Sequence, residues 1–148
     1  MQSNDWTRAA RHMTEDCVID WPCSGERIVG RHDFAALQAE YPTKTGRWHF
    51  DVHRIVADGD VVVSEVTTTD REQEARVVAF SILDAGRIAH QIEYWPMPYD
   101  PPPGREHLTQ AIPRIPRSGS RAVYRATRAT RERPNAAHVA VSWIQLSV

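Results

Sequence analysis

The chain has few cysteines and no long apolar run, and both shortages exclude classes of protein. Its 148 residues contain two cysteines, Cys17 and Cys23, whose spacing fits no metal site, so both are expected to be free thiols. No apolar run approaches the roughly 18 residues of a membrane span. The first residues lack the basic head and apolar middle of a signal peptide. A soluble, cytoplasmic protein without membrane attachment is expected.

Charge is distributed unevenly along the chain. Residues 1–106 contain 11 Lys and Arg against 18 Asp and Glu, whereas residues 107–148 contain seven Arg and one acid. The basic segment is rich in Arg, Ala, Pro and Ser, so it cannot bury much apolar surface. We expect one domain over residues 1–112, followed by a basic, disordered tail over residues 113–148. Nucleic-acid binding is not expected, because the tail shows no aromatic stacking pattern or binding motif.

The N-terminal third has helical spacing of its apolar residues. This spacing predicts a helix over residues 5–15 with Asp5 as N-cap, and a second helix over residues 31–41 that Pro42 stops. Between the helices, CVID at residues 17–20 predicts a short strand, and a brief second strand is expected just before the second helix.

From residue 47 onward the apolar residues alternate with period two. The alternation predicts four long antiparallel strands, joined by turns at Asp58-Gly59 and at Asp84-Ala85-Gly86. Helices followed by a meander of strands indicate an α+β fold, with helices packed on one face of a curved antiparallel sheet.

The segment EDCVIDWPCSGERIVGR, residues 15–31, leaves a choice open. Neighbouring residues of a strand point to opposite faces, so either Asp20 or Trp21 faces the interior ahead of Pro22. An inward Asp20 would be a buried acid with catalytic potential, and an inward Trp21 would be the wall of an apolar pocket. In the long strands, too, alternation groups the residues by face without saying which face the helices cover.

Three stretches carry a family resemblance: MTEDCVIDWPCSGERIVGR, the Gly86-Arg87-Ile88 turn and IEYWPMPYDPPPGR. They resemble the SnoaL-like branch of the nuclear transport factor two-like superfamily, which includes polyketide cyclases, ketosteroid isomerases, limonene-epoxide hydrolases and scytalone dehydratases. The resemblance covers about residues 3–112. It implies a cystatin-like cone of helices and curved sheet around a deep pocket, commonly built as a homodimer. It also implies that the family's first helix is truncated here.

The resemblance also implies which face is internal. In ketosteroid isomerases the catalytic base stands just before the proline of the loop, and this chain has Trp21 there, so Trp21 is expected to face inward and Asp20 outward. The position of the isomerase's acidic oxyanion donor is Val78, and the helix with its tyrosine donor would precede Met1. Ketosteroid isomerase activity is therefore not expected.

The same alignment places two carboxylates inside the pocket. Glu65 and Glu93 would lie among apolar side chains, where burial raises the pKa of a carboxyl and a second carboxyl raises it further. Limonene-epoxide hydrolases similarly use two carboxylates with an arginine between them, a role that only Arg76, reaching from the next strand, could fill here. The other residues expected to contact the substrate are Trp21, Val63, Thr67, Val78, Phe80, Gln91 and Trp95.

Two hypotheses follow from these expectations. The first is a pocket for a small apolar molecule, acting as an isomerase, cyclase or hydrolase by carboxylate acid/base chemistry, without a metal or an organic cofactor. The second is a non-catalytic ligand-binding or dimerisation module of the same fold. A dry pocket shared by Glu65 and Glu93 would favour the first hypothesis. A carboxylate on the outer face of the sheet would favour the second.

Overall fold

The fold is taken from a computed structural model, which describes residues 3–41 and 43–115. The elements follow in the order α1 (Trp6–Ala10), β1 (Met13–Trp21), β2 (Glu26–Val29), α2 (Arg31–Glu40), β3 (His49–Asp58), β4 (Val61–Thr69), β5 (Glu74–Asp84) and β6 (Arg87–Tyr94). Neither of these helices is long and apolar enough to cross a membrane. The expected basic tail lies outside the described residues from position 116 onward, and the boundary at residue 112 remains a prediction.

One mixed sheet organises the six strands. Their order is β2-β1-β6-β5-β4-β3, and every neighbouring pair is antiparallel except β1 and β6, which run parallel. The α+β class is confirmed. The four long strands and their two turns are also confirmed, while the parallel β1–β6 pair corrects the expectation of a purely antiparallel sheet.

The predicted first helix is too long at its C-terminal end. Asp5 is the N-cap as expected, and its Oδ1 accepts a hydrogen bond from the Arg8 backbone N at 2.8 Å. The helix ends at Ala10, however, and Met13 already belongs to β1, opposite Ile88 of β6. Pairing with β6, which no local pattern encodes, outweighs the helical spacing of the apolar residues in this segment.

The core closes one end of the molecule between the helices and the sheet. Ala9 of α1 and Phe34 of α2 pack with Val62, Leu83 and Ile88 on the face of the sheet that the helices cover. We call this face the inner face. A smaller cluster around Val66 and Val77 continues along it toward the other end of the strands. There the helices no longer cover the sheet, and a cavity takes the place of the core.

A register shift between β5 and β6 decides which side chains share a face. Asp84 pairs with Arg87, but beyond Ile82 the pairing has moved by one residue, because Ala89 is an extra residue on β6. As a result Glu93 lies opposite Ala79, one position away from the pairing that an uninterrupted hairpin would produce. Glu93 and the β6 side chains on its face consequently lie beside Ala79, and not beside the β5 residues that an uninterrupted hairpin would place opposite them.

The predicted pocket set therefore splits between the two faces. The structure places Gln91, Glu93 and Trp95 on the inner face, but the expectation is wrong for β4 and β5. Five residues expected in the pocket lie on the outer face instead: Val63, Glu65, Thr67, Val78 and Phe80. An uninterrupted hairpin would pair Val78 with Glu93 and Phe80 with Gln91, which is the arrangement that the expectation assumed.

Candidate functional site

A cavity of about 370 Å³ occupies the open end of the inner face. Five aromatic side chains line it: Trp21, Tyr41, Trp48, Phe50 and Trp95. The rings of Trp21 and Tyr41 meet edge to face with centroids 6.5 Å apart, and those of Tyr41 and Trp48 do so at 6.1 Å. Such contacts fix the orientation of the rings in addition to burying their area.

Glu93 is the most deeply buried carboxylate of this cavity, and three donors hold it. Its Oε2 accepts hydrogen bonds from the indole N–H groups of Trp21, at 2.7 Å, and Trp95, at 3.1 Å, and its Oε1 accepts one from the Gln91 amide at 3.0 Å. Trp21 reaches Glu93 because β1 and β6 run side by side, with Ile19 opposite Gln91. The inward position of Trp21 thus agrees with the expectation.

Burial dominates the electrostatics of this carboxyl. Desolvation raises the pKa of Glu93 above its usual range, while the hydrogen bonds from Trp21 and Trp95 act in the opposite direction. No cationic side chain is among the described residues that line the cavity. A carboxylate with a raised pKa and no cationic partner is a stronger base than an exposed one.

Gln91 has one hydrogen-bonding atom left over. The residue is 2% exposed, and its Oε1 is buried without a hydrogen-bond partner. An ionised Glu93 requires the NH₂ side of the amide to face the carboxylate, which leaves Oε1 for another partner. Buried polar groups are normally satisfied, so this buried acceptor is an exception among the described residues.

Two polar side chains hold the aromatic wall that follows α2. The carboxylate of Asp70, at the β4–β5 turn, accepts the backbone N–H groups of Lys44 (2.6 Å), Gln73 (2.8 Å) and Glu72 (3.1 Å). Burial by itself raises the pKa of Asp70, but these backbone hydrogen bonds prevail and lower it to about 2. The side chain of Asn4 also bonds both the N–H (2.7 Å) and the C=O (2.9 Å) of Trp48.

Glu65 has an ion pair on the outer face. Its Oε1 accepts a hydrogen bond from Arg76 Nη1 at 2.7 Å, and Arg76 also contacts His53 Nε2 at 3.2 Å. Arg76 does reach across from the next strand, but the pair lies on the opposite side of the sheet from Glu93. The expectation that Glu65 and Glu93 share one pocket is therefore wrong, because the extra residue of β6 turns Glu93 away from the side of Glu65.

Asp20 also lies on the outer face, as expected. Its carboxylate binds Arg27 Nε at 2.6 Å and His90 Nε2 at 2.9 Å, and these two hydrogen bonds lower its pKa to about 2. The choice between an inward Asp20 and an inward Trp21 is thus resolved in favour of the tryptophan.

Sequence reasoning missed several cavity residues. Ser64, Val66 and Ala79 line the cavity because of the register shift, and no local pattern gave a signal for it. Tyr41 and Trp48 were recognisable as aromatics but lie on a loop whose path depends on Asp70 and Asn4. Glu26 and Glu74 add two carboxylates to the lining, and burial raises the pKa of Glu74.

The cysteines are free thiols, as predicted, with Cys17 buried and Cys23 exposed at the cavity. Within residues 3–41 and 43–115, no group of three or more His, Cys, Asp or Glu side chains could hold a metal ion.

A curved sheet with helices at one end and an aromatic cavity at the other defines a nuclear transport factor two-like fold. The sequence profile of the SnoaL-like domain matches residues 1–91, more than half of the chain. The chain therefore belongs to the SnoaL-like family.

Solved structures agree with this assignment. A candidate ketosteroid isomerase from Kribbella flavida is 33% identical, with a TM-score of 0.69, over 76% of this chain and 81% of that one. A nuclear transport factor two-like protein of unknown function from Burkholderia xenovorans is 28% identical, with a TM-score of 0.61, over 75% and 85%. An LEH-like epoxide hydrolase from M. tuberculosis is 25% identical, with a TM-score of 0.52, over 64% and 73%. The search of curated proteins returns no match.

Proposed function

We propose that the cavity binds a small, mostly apolar molecule and that Glu93 is its acid/base group. The observation that carries the proposal is the carboxyl itself, buried among aromatic rings and held by two indole N–H groups. Burial raises the pKa of Glu93, and a base is most effective when its pKa lies near the working pH.

A single carboxyl supports proton transfer within one substrate, as in isomerases and cyclases. Glu93 would remove a proton from a carbon next to a carbonyl group, and the C–H electron pair would move into the carbonyl. The same carboxyl would then return the proton to this carbon or to another one. Two-carboxylate hydrolysis by Glu65 and Glu93 is disfavoured, because Glu65 is paired with Arg76 on the outer face.

Deuterium exchange tests this function without knowledge of the natural substrate. The full chain is incubated in D₂O with small cyclic ketones, with and without an amino substituent, and exchange at the carbon next to the carbonyl is followed by NMR. We expect exchange to be faster with the wild type than in buffer alone. The exchange rate should fall by about 10²-fold or more in Glu93→Gln. Glu65→Gln is the matched control and should retain the wild-type rate. Equal rates in the wild type and Glu93→Gln would refute the role of Glu93.

A non-catalytic ligand-binding module is the second candidate. It is favoured by the same correction that removed Glu65 from the cavity, since only one of the two expected carboxylates remains. Binding of the ketones without any exchange above the rate in buffer would support this candidate.

We also propose that two copies of the chain associate through the outer face. Large apolar side chains are exposed there in adjacent strands, and the rings of Phe80 and Tyr94 meet edge to face at 6.1 Å. The exposed members are Val56, Val61, Phe80, Ile82 and Tyr94. A monomeric protein rarely leaves so many apolar side chains together in water, and a second copy would cover them.

A further inference from the structure

We propose that the ligand of the cavity is a small organic cation, a protonated amine with apolar substituents. This inference rests on the proposed binding function and specifies its ligand class. It follows from which hydrogen-bonding groups around Glu93 are already used and which remain open.

The donors that touch Glu93 are occupied. Each indole has a single N–H, and those of Trp21 and Trp95 both point at the Glu93 carboxylate. The amide nitrogen of Gln91 donates to the same group. A ligand that approaches this carboxyl finds acceptors, namely the remaining lone pairs of the Glu93 carboxylate. The ligand must therefore supply the N–H or O–H groups.

Charge separates an ammonium from a neutral hydroxyl. The described lining contains three carboxylates, Glu26, Glu74 and Glu93, and no Lys, Arg or His. A buried carboxylate without a cationic partner is costly, and a bound cation removes that cost. An anionic ligand would instead add a fourth negative charge to an acidic cavity.

The aromatic wall favours the same ligand class. Five rings line a cavity of about 370 Å³, and the faces of tryptophan, tyrosine and phenylalanine attract cations through the negative potential of the ring. The apolar substituents of the amine would contact the same rings. A positive charge on the ligand would also offset the negative charge that develops when Glu93 removes a proton from carbon.

Three probes of similar size distinguish the alternatives: benzylamine, benzyl alcohol and benzoate. Their binding to the full chain is measured at pH 7.5 by calorimetry and by the fluorescence of the tryptophans. Protection of Cys23 from alkylation locates each probe at the cavity, since the thiol is exposed there. We expect benzylamine to bind about tenfold or more tightly than benzyl alcohol, as a charge-assisted hydrogen bond predicts, and benzoate to bind most weakly.

Variants identify the groups that produce this preference. In Glu93→Gln the preference for benzylamine should fall to within about threefold, whereas benzyl alcohol should still bind. Gln91→Leu should also weaken benzylamine binding, because it removes the amide that holds the Glu93 carboxylate in place. Glu65→Gln carries the same change of charge on the outer face and should leave the order of the probes unchanged.

The outcomes separate this inference from the function on which it rests. If benzyl alcohol or benzoate binds as tightly as benzylamine, the cation proposal is overturned while the binding pocket stands. If none of the three binds, both the pocket and the cation proposal fail. A wild-type preference for benzylamine that Glu93→Gln leaves unchanged would also overturn the proposal. The order of the probes on the wild type is decisive even if a variant does not fold.

Discussion

Glu93→Gln is expected to stabilise the protein at alkaline pH and to have little effect at acid pH. The folded-state pKa of Glu93 is raised by burial, so the unfolded chain releases this proton at a lower pH than the folded one. Below the unfolded pKa, both states are neutral and the carboxyl contributes nothing. As pH rises from there through the folded pKa, the free energy of unfolding falls, because ionisation is easier in the unfolded chain.

Glutamine removes this penalty while keeping the shape of the side chain. Its amide oxygen can accept both indole N–H groups, and its NH₂ can donate to Gln91 once the Gln91 amide turns over. Each unit by which the folded pKa exceeds the unfolded one costs the wild type about 1.4 kcal/mol at high pH. For a domain of this size, that corresponds to about 5 °C in melting temperature.

Circular dichroism melts at pH 4.5 and pH 8 test this expectation for the wild type and two variants. Glu93→Gln should melt close to the wild type at pH 4.5 and above it at pH 8. Glu65→Gln loses the ion pair with Arg76, in which the Glu65 side chain is 25% exposed and the Arg76 side chain 19%. This variant should be less stable than the wild type at pH 8 by about 1 kcal/mol or less. A Glu93→Gln melting temperature below that of the wild type at pH 8 would refute the account of Glu93.

Three further predictions follow from other parts of the fold. Asp70→Ala leaves three backbone N–H groups without their acceptor and should cost about 3 kcal/mol in denaturant unfolding. A cost below about 1 kcal/mol would contradict the role of Asp70. The stability that Asp70 supplies should be fully present above about pH 4 and disappear as pH falls through its pKa of about 2, which acid titration of the wild type and Asp70→Asn can compare. Phe80→Arg should shift sedimentation from dimer to monomer without altering probe binding in the cavity. If the dimer is unchanged, the outer face is not the contact between the two copies.

The sequence predicted the class of the fold well, because the strongest signals are local. Alternation from residue 47 onward and the two glycine-containing turns define the four long strands, and Asp5 marks the start of the first helix. The end of that helix and the parallel β1–β6 pair were missed, because the pairing of Met13 with Ile88 joins segments far apart in the chain.

The site was harder to predict, since it depends on how strands align rather than on what each contains. Glu93 and Glu65 both stand in clear strand patterns, and alternation correctly groups each with its neighbours in its own strand. Whether the two groups share a face is decided by one extra residue, Ala89, which no composition or period reveals. Trp21, Gln91 and Trp95 were expected inside because of the family resemblance, and the structure places them at the cavity.

That extra residue has a consequence for how the fold can diversify. Deletion of Ala89 would leave Leu83 opposite Ile88 and Ile82 opposite His90, so Glu93 would stay opposite Ala79 on the inner face. If the bulge closed with Ala89 kept in the strand, Ile82 would pair with Ala89 and the pairing beyond it would slip by one residue. His90, Ile92 and Tyr94 would then face the cavity, while Glu93 would lie on the same side as Glu65. The cavity would then contain an imidazole and a phenol in place of the Glu93 carboxylate, and the order of the strands would not change. A slip of one residue in strand pairing can thus exchange the chemical character of the interior, and the bulge at Ala89 is what keeps the carboxylate of Glu93 in the cavity.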